Sequence, residues 1–256
     1  MKATLTVLGS GTSMGVPTIG CDCAVCHSSD PHDRRTRPSI MLEFAGKTVL
    51  IDTTPDFREQ AIRERIRQLD AVLYTHGHAD HILGLDDVRP LSYHRAGKIP
   101  LYARPEDAEI LRRIFRYIFD GNYKFGGLAQ VELHPLNGPV DVFGARFEPV
   151  KVMHGDSEII GYRFGHAAYL TDFSTIPEES FAQLGGLDVL FLDALRHTPH
   201  PTHSTVENSL KIVEQVKPKR AFFTHICHDL PHETTNASLP PHVQLSYDGM
   251  KLEFEI

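Results

Sequence analysis

Short apolar runs alternate along the chain with segments in which apolar residues recur at helical spacing. The short runs predict β-strands, and the longer periodic segments predict amphipathic helices. The predicted strands cover residues 5–8, 40–44, 48–51, 71–74, 99–102, 131–134, 140–143, 147–152, 159–164, 167–170, 189–193, 220–223, 243–247 and 251–256. The predicted helices cover residues 56–68, 86–94, 105–119, 177–184 and 205–216. Strands and helices alternate in both halves of the chain, which predicts an α/β fold.

Three local signals predict where elements turn or begin. Residues 45–47, Ala-Gly-Lys, separate two apolar runs and predict a hairpin with a short turn. Pro105 occupies the first turn of the helix predicted over residues 105–119, where its missing N–H is tolerated. Ser204 is the predicted N-cap of the helix that runs to Val216, and Glu207 three residues later would complete a capping box.

One heptapeptide concentrates metal-ligating side chains directly behind a predicted buried strand. It follows the apolar run 71–74 and reads Thr75-His76-Gly77-His78-Ala79-Asp80-His81. Imidazole and carboxylate groups are the usual protein ligands of zinc, manganese and iron. A histidine-rich surface loop is the structural alternative. Three imidazoles and one carboxylate so close together at a strand end favour a metal site.

The composition is that of an ordinary globular protein with an acidic balance. The chain has 256 residues, 41% hydrophobic and 23% charged, and we expect one domain over residues 1–256. The formal net charge is −7, and the one short basic run is 34–37, so a broad nucleic-acid-binding face is not expected. No apolar stretch reaches the roughly 18 residues of a membrane span. Residues 1–9 are too short for a signal peptide, which predicts a cytoplasmic protein.

Three of the four cysteines lie close together, at Cys21, Cys23 and Cys26. Thiolates at this spacing repel one another unless protons or a cation neutralise them, and zinc does so with tetrahedral geometry. We therefore predict a structural zinc site whose fourth ligand comes from elsewhere in the chain. A disulfide between two of these cysteines is the alternative, and a reducing compartment argues against it.

Two loops have more than one interpretation. Residues 9–17 are rich in glycine but match neither the P-loop nor the dinucleotide-binding pattern. A tight loop at a strand end is the favoured interpretation, and a loop that lines the metal cleft is the alternative. Residues 120–127 carry Tyr123 and Phe125, which either cover a substrate or a partner subunit or pack on the core.

The heptapeptide resembles the H-x-H-x-D-H signature of the metallo-β-lactamase superfamily of binuclear metallohydrolases. The resemblance implies that His76 and His78 bind one metal ion, and that Asp80 and His81 bind the other. Secreted antibiotic-hydrolysing members would need an export signal, and none is visible in this sequence.

The same resemblance assigns further residues at later strand ends. It implies His154 as a ligand of the first metal, His225 as a ligand of the second, and Asp172 as the bridging carboxylate. For each of these side chains the alternative is a structural role without metal binding, such as a position in a surface turn. Asp52 follows the strand 48–51, and the resemblance implies that it orients a ligand histidine. Capping of the loop is an equal alternative for Asp52.

Because the ligand segments come from both halves, we predict one αββα sandwich, in which helices face two central sheets and the metals lie at the rim between them. Two cations about 3.5–4 Å apart polarise a phosphoryl or carbonyl oxygen and lower the pKa of a shared water, so that a bridging hydroxide is the nucleophile. Nitrogen and oxygen ligands suit manganese, zinc or iron. We expect two Mn²⁺ or Zn²⁺ ions besides the structural Zn²⁺.

The cysteine cluster together with Thr224-His225-Ile226-Cys227-His228 resembles a narrower group, the phosphoribosyl cyclic phosphodiesterases. The resemblance implies that His228 joins the three cysteines on the structural zinc, with Cys227 as a competing ligand. It also implies that His203 is the general acid that protonates the leaving alkoxide. Asp80 is the second predicted catalytic residue.

The expected reaction is hydrolysis of a small cyclic phosphodiester such as phosphoribosyl 1,2-cyclic phosphate, and no nucleic-acid or membrane partner is expected. A tRNA 3′-processing endonuclease is one alternative, which predicts an exosite arm or a basic surface that the sequence lacks. A non-catalytic, zinc-stapled binding protein is another, and it has no need of so many nitrogen and oxygen ligands at strand ends. Family analogy suggests a homodimer.

Overall fold

Two seven-stranded β-sheets form the centre of the structure. The computed structural model describes residues 1–93, 95–122 and 126–256. The strands are β1 Lys2–Gly9, β2 Ser39–Phe44, β3 Lys47–Ile51, β4 Ala71–Leu73, β5 Ile99–Ala103, β6 Val131–Pro135, β7 Val140–Val142, β8 Ala145–His154, β9 Ser157–Phe164, β10 Ala167–Leu170, β11 Val189–Asp193, β12 Arg220–Thr224, β13 Val243–Leu245 and β14 Lys251–Glu255.

Short helices connect the strands. The α-helices are α1 Phe57–Arg63, α2 Ala79–Ile82, α3 Arg89–Ser92, α4 Pro105–Ile114, α5 Arg116–Phe119, α6 Glu178–Phe181, α7 Val206–Val216 and α8 His232–Ser238. The 3-10 helices are Pro31–Asp33, Leu83–Val88 and Ala182–Leu184. None of the helices in the described ranges is long and apolar enough to cross a bilayer.

The two sheets are built alike. The first has the strand order β14-β1-β2-β3-β4-β5-β6, and the second has the order β13-β12-β11-β10-β9-β8-β7. In each sheet a run of antiparallel strands is followed by parallel ones: β3 to β6 are parallel in the first, and β10 to β13 in the second. Each sheet therefore has a rim at which the carboxyl ends of parallel strands meet.

Apolar side chains fill three layers. The layer between the sheets contains residues from both, such as Leu42, Phe147 and Phe191. The outer face of each sheet packs against helices, as Val72 does beside Phe57 in the first sheet. Parallel strands at the centre of such a stack are buried on both faces, which is why β10, β11 and β12 are almost continuously apolar. The predicted αββα sandwich is confirmed.

The predicted hairpin over residues 40–51 is also confirmed. Strands β2 and β3 pair antiparallel around a turn in which Ala45 and Gly46 have φ angles of 48° and 72°. Two consecutive positive φ angles give the turn a twist that matches the twist of the paired strands.

Three predicted helices are wrong in length or continuity. The helix predicted over residues 56–68 ends at Arg63, because Arg65 adopts a left-handed φ of 56°. The helix predicted over residues 105–119 is broken at Phe115, whose ψ of 38° separates α4 from α5. The helix predicted over residues 86–94 is a 3-10 helix followed by α3, and residue 94 lies outside the described residues.

The predicted N-cap of the helix after β11 is wrong by one residue. Thr205, not Ser204, caps α7, because its side chain accepts a hydrogen bond from the backbone N–H of Asn208. Ser204 instead bonds Ser209, and Glu207 pairs with His197 at 2.6 Å rather than closing a capping box.

One helix was not predicted, and one predicted loop is only partly described. Helix α8, His-Glu-Thr-Thr-Asn-Ala-Ser, has no apolar stripe that a periodicity search would detect. Tyr123 and Phe125, the aromatic residues of the loop 120–127, lie outside the described residues.

Candidate metal centre

The strand ends of both sheets bring the candidate ligands to one rim. Asp52 follows β3, Asp172 lies two residues after β10, and His225 follows β12. All three have positive φ angles, 67°, 63° and 59° respectively. Such angles are uncommon for residues other than glycine and cost free energy, and they are concentrated at functional sites. The backbone therefore turns sharply where each side chain enters the rim.

The heptapeptide leaves β4 and enters a short helix. His78 is the N-cap of α2, which carries Asp80 and His81 in its first turn. Gly77 lies against α4, where an added Cβ would come within 2.7 Å of the Ile110 side chain. Glycine at this position lets the loop pass close under α4, so that both flanking histidines reach the rim.

Five imidazole rings surround the carboxylate of Asp172. His76 Nε2 and His81 Nε2 each lie 3.1 Å from its Oδ2. On the Oδ1 side, His203 Nδ1 lies at 3.0 Å, His154 Nδ1 at 3.2 Å and His225 Nε2 at 3.6 Å. A buried carboxylate with imidazoles on both oxygens has the arrangement of a bridging metal ligand.

Asp80 and His78 lie slightly farther from this centre, and His154 has a second contact that fixes its ring. Asp80 Oδ2 lies 3.4 Å from His81 Nε2 and 3.8 Å from His225 Nε2. The ring of His78 packs against the rings of His76 and His154, with centroids 4.6 and 5.1 Å away. His154 Nδ1 contacts the backbone carbonyl of Asp172 at 2.8 Å, which fixes its ring and leaves Nε2 for other contacts.

Asp52 holds the heptapeptide from behind. Its fully buried carboxylate accepts hydrogen bonds from the backbone N–H of Thr75 at 2.9 Å and from His81 Nδ1 at 2.7 Å. This contact fixes the tautomer of His81, so that its Nε2 presents a lone pair to the centre. The orienting contact that the resemblance implied for Asp52 is present.

Asp193 is the residue that the sequence analysis missed. It ends β11, is fully buried, and its Oδ2 lies 3.0 Å from His203 Nδ1 and 4.0 Å from His225 Nδ1. The available signal was the same as for Asp52 and Asp172, a carboxylate at the end of an apolar strand. Asp193 orients His203 as Asp52 orients His81.

Burial and charge set the protonation of the centre. Burial alone would raise the pKa of Asp172, but the surrounding imidazoles, His225 first, hold that pKa well below its usual range. Burial lowers the pKa values of His76 and His78, which favours the neutral imidazole that binds metals. Burial also lowers the pKa of His203, but the adjacent carboxylates of Asp172 and Asp193 outweigh it and raise the pKa to about 10.

Unpaired buried atoms test whether metal ions suit these residues. Within the described residues, the buried atoms without a hydrogen-bond partner include His76 Nε2, Asp80 Oδ2, Asp172 Oδ1 and both ring nitrogens of His225. Such atoms destabilise a fold unless a cation or water satisfies them. Ligands at about 2.0–2.2 Å from a metal lie roughly 3.0–3.6 Å from one another, which the contacts around Asp172 match. The donor set therefore fits bound divalent cations.

The centre opens into a cavity of about 260 Å³. Its lining combines the metal-centre side chains with two residues of other chemistry, Ser13 and Ala79. Ser13 belongs to the glycine-rich loop 9–17, so the structure places that loop beside the centre, as its alternative interpretation expected. The favoured interpretation, a tight loop at a strand end, also describes it.

The three clustered cysteines meet His228 at a second site. His228 Nδ1 lies 3.1 Å from Cys21 Sγ, 3.5 Å from Cys23 Sγ and 3.4 Å from Cys26 Sγ. A tetrahedral zinc with Zn–S of about 2.3 Å and Zn–N of about 2.0 Å places sulfur and nitrogen roughly 3.6 Å apart. The donor set fits zinc, and no disulfide joins the three cysteines. The buried Cys227 accepts a hydrogen bond from the Asp229 N–H and is not part of this group.

The chain is similar to several known proteins. The family model described as "Beta-lactamase superfamily domain" matches residues 47–226. A crystal structure described as a new diphosphatase from the PhnP family is 64% identical, covers 99% of this chain and 98% of its own, and superposes with a TM-score of 0.94. Zn²⁺-bound PqqB from Methylobacterium extorquens shares the fold, with 21% identity, a TM-score of 0.80, and coverage of 97% and 99% of the two chains.

A longer relative matches almost the whole chain. An octanoyltransferase from Porphyromonas gingivalis is 40% identical over 250 residues, which are 96% of this chain and 50% of that protein. The chain thus spans about half the length, or less, of the curated relatives it matches.

Proposed function

The chain belongs to the beta-lactamase superfamily of metal-dependent hydrolases and, within it, to the PhnP family. We therefore propose that it hydrolyses a phosphorus–oxygen bond at a phosphorus atom that carries two bridging oxygens. Cyclic phosphodiesters and disubstituted diphosphates both contain such a centre. The observation that carries the proposal is the carboxylate of Asp172, which lies within 3.0–3.6 Å of a nitrogen of five histidines. Nitrogen and oxygen ligands in this number suit two hard or borderline cations.

We assign three of the seven ligands to each of two metal ions, and Asp172 to both ions as a bridging ligand. The first metal ion would be held by His76, His78 and His154, and the second by Asp80, His81 and His225. Two divalent cations, Mn²⁺ or Zn²⁺, would polarise a phosphoryl oxygen and activate a water for attack. A third ion, structural Zn²⁺, would be held by Cys21, Cys23, Cys26 and His228.

His203 is the proposed general acid. Asp193 holds its Nδ1 at 3.0 Å, and the ring lines the same cavity as Asp80 and Asp172. A cationic imidazole at this place gives its proton to the leaving oxygen as the phosphorus–oxygen bond breaks. The contact with Asp193 favours the protonated ring and fixes its orientation towards the cavity. Asp80 faces the cavity beside it as the second catalytic residue.

Two substrate classes follow from different observations. The relative at 64% identity is described as a diphosphatase, which favours a disubstituted diphosphate. The Cys/His zinc site and His203 favour the cyclic phosphodiester to which the sequence pointed. Both are small molecules, in keeping with a cavity of about 260 Å³ and a net charge of −7. Acyl transfer is not proposed, because the chain spans half of the octanoyltransferase.

Metal analysis and hydrolysis assays test the proposal together. Purified protein should contain about three metal ions per chain, two of them exchangeable. It should hydrolyse bis(p-nitrophenyl) phosphate when Mn²⁺ or Zn²⁺ is supplied, and Asp172→Asn should reduce this turnover at least a hundredfold. Asp188→Asn is the matched control, because the Asp188 carboxylate pairs with the surface Lys219 at 2.7 Å, and this substitution should leave turnover unchanged.

A substrate panel then separates the classes. A ribose 1,2-cyclic phosphate and a P1,P2-disubstituted diphosphate should compete, and the class with the larger kcat/KM is the substrate class. Preferred cleavage of a tRNA precursor would overturn the small-molecule proposal. About one zinc per chain and no turnover with any metal would support the alternative of a non-catalytic binding protein that zinc stabilises. The homodimer and the cytoplasmic location stay predictions.

A further inference from the structure

We propose that Thr171 and Thr224 are positioning residues for the proposed general acid, an inference that rests on the proposed function. Their hydroxyl groups hold the carboxylate of Asp193 through buried water, and Asp193 in turn holds His203. The two threonines thus act on the reaction through another side chain and do not contact the substrate.

Asp193 lies between the two threonines in the second sheet. It ends β11 and pairs in register with Thr224 of the parallel strand β12. On its other side, β10 pairs in register with β11 up to Leu170 and Leu192, which places Thr171 beside Asp193. Neighbouring strands lie roughly 4.8 Å apart. The three polar side chains therefore form one row across three strands.

This polar row faces the layer between the two sheets. Side chains alternate between the faces of a sheet, so the row shares a face with the residues two positions earlier on each strand. Those residues are aromatic, Tyr169, Phe191 and Phe222, and they belong to the apolar layer between the sheets. The residues in between pack in the outer layer. The polar row is thus the last row of the inner layer before Asp172 and His225.

Each member of the polar row has a buried polar atom without a partner. Thr171 and Asp193 are fully buried, and Thr224 is 1% exposed. Within the described parts of the chain, Thr171 Oγ1, Asp193 Oδ1 and Thr224 Oγ1 form no hydrogen bond with another protein atom. A buried polar group in this position destabilises the fold, and ordered water is its usual partner where protein atoms do not reach.

The chemistry of the polar row suits bridging water. A hydroxyl group can donate a hydrogen bond, whereas an ionised carboxylate only accepts, so water between Asp193 and a threonine satisfies both. Two hydrogen bonds of about 2.8 Å through one water span roughly 4.5 Å, which is close to the strand spacing. Valine would fill either threonine position with nearly the same shape. Packing alone therefore does not require the two hydroxyl groups.

The orientation of Asp193 decides the orientation of His203. Asp193 Oδ2 lies 3.0 Å from His203 Nδ1, and the other oxygen, Oδ1, is the one without a partner. Contacts on both oxygens fix the plane of a carboxylate, whereas a single contact leaves it free to rotate. His203 Nδ1 also lies 3.0 Å from Asp172 Oδ1, so Asp193 decides how the ring is shared between two carboxylates. The polar row therefore sets where the imidazole presents its other nitrogen.

The dependence of turnover on the leaving group tests this role. Methyl p-nitrophenyl phosphate and methyl phenyl phosphate share the transferred group, and phenolate, the more basic leaving group, depends more on a general acid. In the metal-loaded protein, Thr171→Val and Thr224→Val should each lower kcat for the phenyl ester about tenfold more than for the nitrophenyl ester, the size of one hydrogen bond to a charged group. Thr171→Ser and Thr224→Ser should keep the wild-type ratio, because serine restores the hydroxyl group.

Thr6→Val is the matched control. Thr6 is also fully buried and its hydroxyl group also has no partner among the described residues, but it lies on β1 in the first sheet. This variant removes the same group and should leave the ratio of kcat between the two esters unchanged.

Nuclear magnetic resonance tests the contact without turnover. His203 Nδ1 lies 3.0 Å from two carboxylate oxygens and therefore carries a proton, whose resonance in the zinc-loaded protein should disappear in His203→Gln. Both valine variants should speed the exchange of this proton with solvent about tenfold, because Asp193 holds it less firmly. The corresponding proton of His81, which Asp52 holds at 2.7 Å, should exchange as in wild type.

Three results would overturn the inference: an unchanged ratio of kcat between the two esters, loss of metal from either valine variant, or an unchanged exchange rate. Loss of metal would show that the threonines act on the metal ligands instead of on the acid. Faster exchange in a protein that hydrolyses neither ester would keep the polar row as the support of His203 and overturn the proposed function. Melting temperatures near that of wild type confirm that the variants are folded.

Discussion

Replacement of Asp52 by asparagine should release metal from one half of the centre. The carboxylate of Asp52 accepts from the Thr75 N–H through Oδ1, and from the Thr75 hydroxyl and His81 Nδ1 through Oδ2. An asparagine that keeps its oxygen towards the Thr75 N–H places its NH₂ group against His81 Nδ1. Two donors then face each other, and His81 must move its proton to Nε2. That nitrogen is the one that lies 3.1 Å from Asp172.

The structure sets the size of this effect. A protonated Nε2 cannot bind a metal, so binding requires the disfavoured tautomer or a rotated asparagine. Loss of such an orienting contact costs about 10- to 100-fold in metal affinity, or roughly 1.4–2.7 kcal/mol. The metal-free protein also loses two hydrogen bonds to a buried charge, which destabilises it by about 2–4 kcal/mol. The second metal ion, for which we propose Asp80, His81 and His225 as ligands, should be the one affected.

Metal titration of the apoprotein by calorimetry measures the prediction. The variant should keep one tight exchangeable site and show one site weakened by the expected factor. Asp70→Asn is the matched control: Asp70 is also buried and accepts a hydrogen bond from a backbone N–H, that of Thr48, at 2.9 Å, and it contacts no histidine among the described residues. It should lose stability without losing metal. If Asp52→Asn bound both exchangeable ions as tightly as wild type, the tautomer argument would be refuted.

Three further outcomes are expected. His203→Gln should lower kcat about 10²- to 10⁴-fold and keep the full metal content by elemental analysis, and loss of metal would contradict its role as an acid. Gly84→Ala should lower the unfolding free energy in urea by about 3 kcal/mol, because its Cβ would lie 1.9 Å from the Thr54 carbonyl oxygen, whereas Gly138→Ala meets nothing within 4 Å and should be neutral. Burial and Arg35 lower the pKa of His232 to about 4, so the unfolded chain binds its proton first and stability falls as pH drops from about 6.5 to 4. His232→Gln should reduce this pH-dependent loss of unfolding free energy by about 2 kcal/mol. If urea unfolding at a series of pH values gave the same profile as wild type, the prediction would be contradicted.

Sequence reasoning worked where the signal was local. Buried strands and the hairpin at Ala45 can be predicted from residues that are adjacent in the sequence, and the structure has them nearly as predicted. Helix ends were less predictable, because the break at Phe115 and the stop before Arg65 come from backbone angles at single residues, which apolar periodicity does not encode. Thr205 caps α7 in place of the predicted Ser204, because the Ser204 hydroxyl forms a hydrogen bond with Ser209. Sequence spacing does not reveal such a contact between side chains.

The candidate site divides in the same way. The histidines and aspartates of the rim were identifiable because each follows a strand-like run and matches a pattern. Asp193 has the same position but no motif around it, and only its 3.0 Å contact with His203 reveals it. The choice of His228 over Cys227 likewise needed coordinates, because only the distances show which of the two adjacent side chains meets the three cysteines.

The sequence by itself determined the chemistry of this protein: imidazoles, carboxylates and thiolates of the right kind, at the ends of the right strands. It determined the two-sheet architecture because burial on both faces demands continuous apolar runs. Only the tertiary structure decided which groups meet. Asp52, Asp172 and His225 come from strands far apart in the chain, and they converge because the parallel strands of two similar sheets end at one rim. Distances of a few ångströms, which decide ligation, orientation and recognition, depend on that packing and are not encoded by any local pattern.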